Sequence, residues 1–153
     1  NITFDCIVNN AGVYLDREVA LVDLDLDILK QTLEVNLYAP ILLIQGLFSN
    51  LNDGAQVINL SSSYARLSKM RGNSAAYRIS KVGLNAVTKI LSSELKSKNI
   101  KVNSVCPGLV KTEMGGESAI RSVEEGIQDL VSLILNDHNY NGIFIRDGKE
   151  ITW

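Results

Sequence analysis

The chain is poor in the residues that build metal sites, disulfides and membrane spans. Its 153 residues include two cysteines, one histidine, two prolines and one tryptophan. Cys6 and Cys106 lie far apart, each inside an apolar run (FDCIV and VNSVCPG), and neither has a second Cys or a His at ligand spacing. That excludes a structural zinc site and a disulfide framework, and both cysteines read as buried thiols of a reducing compartment. The lone His138, in the polar segment NDHNYNG, reads as a solvated loop residue and cannot build a metal site by itself. No apolar run approaches the ~20 residues that cross a bilayer. The longest, Ala39 to Phe48, is short and carries Gln45, and no signal-peptide pattern appears, so a cytoplasmic location is the expectation. Nor is there an excess of cations. With a net charge of −2 the chain has no electrostatic reason to seek nucleic acid or an anionic membrane. Its densest basic stretch, Lys96 to Lys101, falls where a helix should end, a position that favours positive charge.

What is present suits a packed core. Hydrophobic residues make up 46% and charged residues 21%, the composition of one ordinary domain. Short apolar runs rich in β-branched residues predict strands at Phe4–Asn9, Ala55–Leu60, Lys101–Pro107 and Ile143–Gly148. Apolar residues recurring at threes and fours predict a helix from about Asp25 to Leu51, and a second from Asn73 or Ser74 to Leu95. A third is predicted over Ser122–Leu135, opened by Ser122 and Glu125 at capping-box spacing. Strands alternating with helices imply an α/β fold with a parallel sheet covered on both faces. Ligands of such sheets bind beyond the carboxyl ends of the strands.

Three of those ends are rich in small, hydrogen-bonding residues: NNAG (Asn9–Gly12), NLSSSY (Asn59–Tyr64) and CPGLVKT (Cys106–Thr112). Gly12 and Gly108 permit backbone angles closed to other residues and let a flat ligand approach the main chain. Tyr77 and Lys81, in SAAYRISK, are four residues apart and share one helix face. Taken singly each motif is ordinary, because strands end in turns and Tyr and Lys pair on many helices.

Together, and in this order, NNAG, the Asn of EVNLYAP (Asn36), the serines after INL, YRISK and PGLVKT resemble the short-chain dehydrogenase/reductase family over essentially the whole chain. TEMGG (Thr112–Gly116) and the ending GIFIRDGKEITW resemble its carbonyl-reductase-like branch. The resemblance implies a Rossmann-like, doubly wound parallel sheet, with residues 1–153 as the C-terminal portion of a single domain containing about four strands and three main helices. It implies an oxidoreductase that moves a hydride between NADP(H) or NAD(H), the former slightly preferred, and a small carbonyl or secondary alcohol. Catalytic roles fall on Asn36, Ser62, Tyr77 and Lys81, with Ser61 and Ser63 one place either side of the matching serine. Cofactor contacts fall on Asn10, Ala11, Gly12, Tyr77, Lys81, Pro107, Gly108, Val110 and Thr112. No metal, nucleic acid or membrane partner is implied, and a homo-oligomer is left open.

Carbonyl reduction needs a proton on oxygen, for which Tyr77 is the candidate donor. A free phenol has a pKa of about 10, and an ammonium one turn away favours phenolate, so Lys81 is expected to lower the Tyr77 pKa. Ser62 would hold the substrate oxygen, and Asn36 would support a relay water. The family's first strand and its glycine-rich GxxxGxG turn are not in these residues. The alternative is therefore a truncated, non-catalytic binding or regulatory relative. The stretch between Ser62 and Tyr77, with Arg66, Lys69, Met70 and Arg71, borders the expected substrate pocket and otherwise reads as a solvated loop.

Overall fold

The structure, a computed structural model, describes residues 2–153. Five strands form one sheet in the order β1 (Phe4–Asn9), β2 (Leu51–Leu60), β3 (Lys101–Val105), β4 (Phe144–Arg146) and β5 (Lys149–Glu150). The first four run parallel, as the alternation of elements requires. The fifth does not. Asp147 and Gly148 both take left-handed backbone angles (φ 54° and 70°), and the chain folds back so that β5 pairs antiparallel with β4. An Asp-Gly pair with both residues at positive φ is the tight hairpin turn that matches strand twist. The segment read as one strand from Ile143 to Gly148 is thus a strand and a turn.

The first long helix runs as α1 (Leu26–Leu33), a π-turn (Glu34–Tyr38) and α2 (Ala39–Leu47). Asp25 caps it by accepting from the Asp27 N–H at 2.8 Å. Pro40 accounts for the irregularity: it has no N–H to offer the carbonyl of Asn36, four residues before it. The ladder slips there to a wider bond from the Ala39 N–H to the Glu34 carbonyl. Helix α3 spans Ala75–Glu94. The predicted capping box forms, with Ser122 and Glu125 satisfying each other's backbone N–H. Its helix breaks into α4 (Val123–Gly126) and α5 (Gln128–Leu135).

Alternation along β2 sorts the core. Val57 faces Ile7, Ile44, Leu95, Ile100 and Val102, while Ile58 faces Val105, Leu133 and Ile145. Cys106 is buried, but Cys6 is only half-buried, a correction to the sequence reading. His138 also differs from expectation. Its Nε2 lies 3.1 Å from both Gln56 Oε1 and the Leu133 carbonyl, and its Nδ1 accepts from the Tyr140 N–H, so it clasps the loop before β4.

A polar seam crosses the apolar sheet just below the strand ends. Asn9 Nδ2 donates to Asn59 Oδ1 at 2.7 Å, and Asn59 Nδ2 donates to Thr88 Oγ1 at 2.8 Å. The Thr88 hydroxyl in turn shares a 2.8 Å hydrogen bond with Ser104 Oγ. All four residues are buried, so β1, β2, α3 and β3 are held in register by bonds that water cannot replace. Asn59→Ala leaves the buried Asn9 amide without its partner and takes one bond from the Thr88 hydroxyl, which keeps those to Ser104 and the Leu84 carbonyl. It is expected to lower unfolding free energy by about 2–3 kcal/mol, read as a lower urea midpoint; an unchanged midpoint contradicts the seam's role.

Candidate active site

The carboxyl ends of β1 and β2 and the first turns of α3 converge on Tyr77. The loop after β1 is fixed first. Asn36, on the π-turn and 1% exposed, accepts from the Val13 N–H at 2.8 Å through Oδ1. Its Nδ2 donates to the Val13 carbonyl at 2.9 Å and to Ser80 Oγ at 3.0 Å. A Cβ added to Gly12 would stand 3.4 Å from Asn36 Oδ1 and 3.5 Å from Lys81 Nζ, so Gly12, Asn36 and Lys81 meet at one point. The Asn36 amide is committed to protein partners. Its main-chain carbonyl lies opposite the missing N–H of Pro40.

Tyr77 is 8% exposed and packed among aromatic rings. Tyr14 stacks on it at 4.4 Å between centroids, and Tyr64 meets it edge-on at 6.1 Å. Ser62 lies beside it and acts to lower the phenol's pKa. Of the three neighbouring serines, Ser62 is the one whose side chain bears on the phenol. Lys81 Nζ lies 5.8 Å from the Tyr77 ring centroid and donates to the Leu60 carbonyl at 2.8 Å.

The electrostatics run against the sequence expectation. Burial pushes the Tyr77 phenol up to about 12, the nearby Ser62 hydroxyl offsetting only part of it. Burial likewise pushes the Lys81 ammonium down to about 8. Spacing along a helix places the two residues together, but the low-dielectric surroundings disfavour the charged form of each. Tyr77 is thus a neutral acid across the physiological range.

The third strand end is held differently. Ser61 N–H donates to the Val105 carbonyl at 2.8 Å, which sets Ser62 beside Cys106 and Pro107. The Pro107 carbonyl accepts from Arg121 Nη1 at 2.9 Å, and Gly108, at φ 76°, holds a backbone angle that other residues rarely adopt, where an added Cβ would lie 2.7 Å from that same nitrogen and displace it. Val110 pairs with Arg121 in an isolated bridge. Thr112 is exposed and lines an open cavity of about 580 Å³ with Lys111, Glu113, Gly116, Glu117 and Ala119, a group without Tyr77, Ser62 or Lys81. The reactive groups lie outside that cavity. Asn10 and Ala11 are exposed at the end of β1. Arg66, read as a solvated loop residue, instead grips the C-terminal segment through Thr152 Oγ1 at 2.6 Å.

Two contributors had no mark in the sequence. Asp16 is 1% exposed and accepts from the backbone N–H groups of Ala76 at 2.6 Å and Tyr77 at 3.3 Å. Arg121 is the other, since its contacts depend on the loop geometry after β3. Dinucleotide fits these residues on three grounds. The Ser61 hydroxyl is buried at the end of β2 without a protein partner. Lys81 Nζ has three N–H bonds, one of them given to Leu60. Gly12 keeps open a position that any side chain would fill. No helix among the described residues is long and apolar enough to cross a membrane, and no cluster there could hold a metal ion.

A buried lysine with a lowered pKa makes stability depend on pH in a definite sense. Between about pH 8 and 10.5 the unfolded chain binds the Lys81 proton and the folded one does not, so stability rises with pH in that window. Above pH 10 the sign reverses, because the unfolded chain loses the Tyr77 proton that the folded one keeps up to about 12. Lys81→Met is expected to remove a rise of about 2–3 kcal/mol between pH 7 and pH 10. Urea titrations at several pH values read the difference, and parallel curves for the two proteins contradict it.

Comparison with known proteins agrees with the geometry. A family model described as enoyl-(acyl carrier protein) reductase matches residues 2–138. The chain is 29% identical to the C-signal of Myxococcus xanthus over 97% of its own length and 92% of that protein. Among solved structures, the carbonyl reductase Sniffer of D. melanogaster superposes with a TM-score of 0.89 at 31% identity, covering 97% of this chain and 66% of that one. The NADPH-bound carbonyl reductase from chicken fatty liver superposes with a TM-score of 0.89 at 26% identity, over 100% of this chain and 67% of that one. The chain spans 31–53% of the length of the curated reductases, dehydrogenases and oxidoreductase it also matches. The sheet, the strand-end loops and these likenesses place the chain in the short-chain dehydrogenase/reductase family, on its carbonyl-reductase-like side.

Proposed function

We propose that the protein reduces a small-molecule carbonyl to an alcohol with a nicotinamide coenzyme, NADPH in preference to NADH. The observation that carries this reading is the Tyr77 phenol, set beside Ser62 and 5.8 Å, ring centroid to Nζ, from the Lys81 ammonium, where the strands end. The coenzyme preference is supported by the chicken carbonyl reductase, whose structure holds NADPH.

When bound, the coenzyme supplies the hydride to the carbonyl carbon. Asn10, Ala11 and Gly12 at the end of β1, Tyr77 and Lys81 on α3, and Pro107, Gly108, Val110 and Thr112 after β3 are the residues that would hold it. The chain itself handles the proton. Ser62 Oγ orients the substrate oxygen, and Tyr77 Oη gives its proton to that oxygen as negative charge develops there. With a pKa near 12 the phenol always carries the proton it must donate, which favours the reductive direction. Lys81, near 8, is the adjacent group whose proton is most readily exchanged, and it restores the Tyr77 proton. The Asn36 carbonyl at the π-turn would hold a water that connects Lys81 to solvent.

A second reading, a binding relative without turnover, is favoured by one likeness, the C-signal of M. xanthus, most of whose length the chain matches. One variant separates the two. In the complete protein, assayed with NADPH and NADH against a panel of ketones and aldehydes, Tyr77→Phe is expected to lower kcat by about a hundredfold or more. Coenzyme affinity, read by fluorescence titration, should stay within about threefold. Undiminished turnover in Tyr77→Phe overturns the assignment, and absence of turnover with every carbonyl and both coenzymes in the unaltered protein favours the second reading.

A further inference from the structure

We propose that Asp16 is a positioning residue for Tyr77: a remote carboxylate cap that sets the first turn of α3, and with it the phenol, against Ser62. The inference rests on the catalytic reading of Tyr77 given above and extends it to a residue that has no part in the chemistry.

A helix leaves its first N–H groups without intrahelical partners, and a side chain just before the helix ordinarily accepts from them. Ser74 stands at that place in α3 and does not do so. It is left-handed (φ 56°, ψ 40°), as is Asn73 before it (φ 63°), and its hydroxyl is spent on Tyr14. The cap comes instead from the loop after β1. Both Asp16 oxygens are used, Oδ2 by the Ala76 N–H and Oδ1 by the Tyr77 N–H, at 2.6 and 3.3 Å. The Ser74 N–H is taken by the carbonyl of Val19 at 2.9 Å, from the turn that Asp16 begins.

Two further observations make this more than an ordinary cap. Of the five non-glycine residues at positive φ among the described residues, three (Glu18, Asn73 and Ser74) lie at this junction, so strained backbone is concentrated where the two loops meet. Such strain persists only where surrounding bonds over-determine it, and the Asp16 clamp supplies them. The same loop also carries Val13, held by Asn36, and Tyr14, stacked on the Tyr77 ring. The phenol is therefore fixed at its backbone by Asp16 and at its ring by Tyr14, from one segment. No cation pairs with the Asp16 carboxylate among the described residues, so its charge is compensated by the two N–H groups and the helix N-terminus.

The test uses the complete protein and three variants. Asp16→Asn keeps the shape and one acceptor but turns an amide NH₂ toward the second N–H. It is expected to lower kcat about three- to tenfold, with coenzyme affinity within about twofold. Asp16→Ala removes both acceptors and is expected to lower kcat by about thirtyfold or more. In both, amide exchange should rise about tenfold or more at Ala76 and Tyr77 and stay unchanged from Leu84 onward. Asp25→Ala, which removes the cap of α1, controls for cap loss as such and should leave kcat unchanged. If Asp16→Asn and Asp16→Ala keep the kcat of the parent while Tyr77→Phe is inactive, the inference fails and the catalytic reading stands. If kcat and coenzyme affinity fall together and exchange rises along all of α3, Asp16 is merely structural and the inference also fails. An active Tyr77→Phe overturns the catalytic reading itself, and this inference with it.

Discussion

Burying a charge or an amide at the end of a parallel sheet demands that each find a partner there, and that demand shapes this part of the molecule. Lys81 is 4% exposed and Asp16 and Asn36 are 1% exposed. None of the three is satisfied by an opposite charge. Their partners are main-chain groups but for one: the Leu60 carbonyl for Lys81, the Val13 peptide together with Ser80 Oγ for Asn36, and the Ala76 and Tyr77 N–H groups for Asp16. Because an unpaired buried group costs more than a bond to it gains, each contact fixes the loop that supplies it. Loops that would otherwise move are thereby held around Tyr77.

The same burial decides the electrostatic character of the site. Side-chain spacing alone argues that an ammionium activates a phenol, yet dehydration acts on both groups and is the stronger influence. Tyr77 is left neutral and Lys81 readily deprotonated. Rings on two sides add to the effect, since Tyr14 and Tyr64 replace water without offering compensating charge. Such a site is suited to giving a proton rather than taking one.

The third strand end relies on a guanidinium rather than on buried amides. Arg121 binds the Pro107 carbonyl and pairs with Asp147 at the β4–β5 hairpin, so the segment after β3 is tied to the far edge of the sheet. The residues expected to meet the coenzyme thus divide in two. Gly12 and Lys81 sit in the tightly packed centre, while Val110 and Thr112 lie on a more open loop shaped by Arg121. Substitution in the second group disturbs no buried polar bond.

Patterns that act within one element were legible in the amino-acid order. Period-two and period-3.6 spacing located the strands and the long helices, the Ser122–Glu125 box marked its helix start, and the interval from Tyr77 to Lys81 put two reactive side chains on one face. What joins distant segments was not legible, because no local rule links Asp16 to the amides of Ala76 and Tyr77, or Arg121 to Pro107. The antiparallel β5 sits between these cases: the Asp-Gly pair was visible, but whether it ended a strand or turned it back depended on β4 finding β3 beside it. Only the folded arrangement could set the protonation of Tyr77 and Lys81, because desolvation is a property of everything packed around a group and not of its neighbours in the chain.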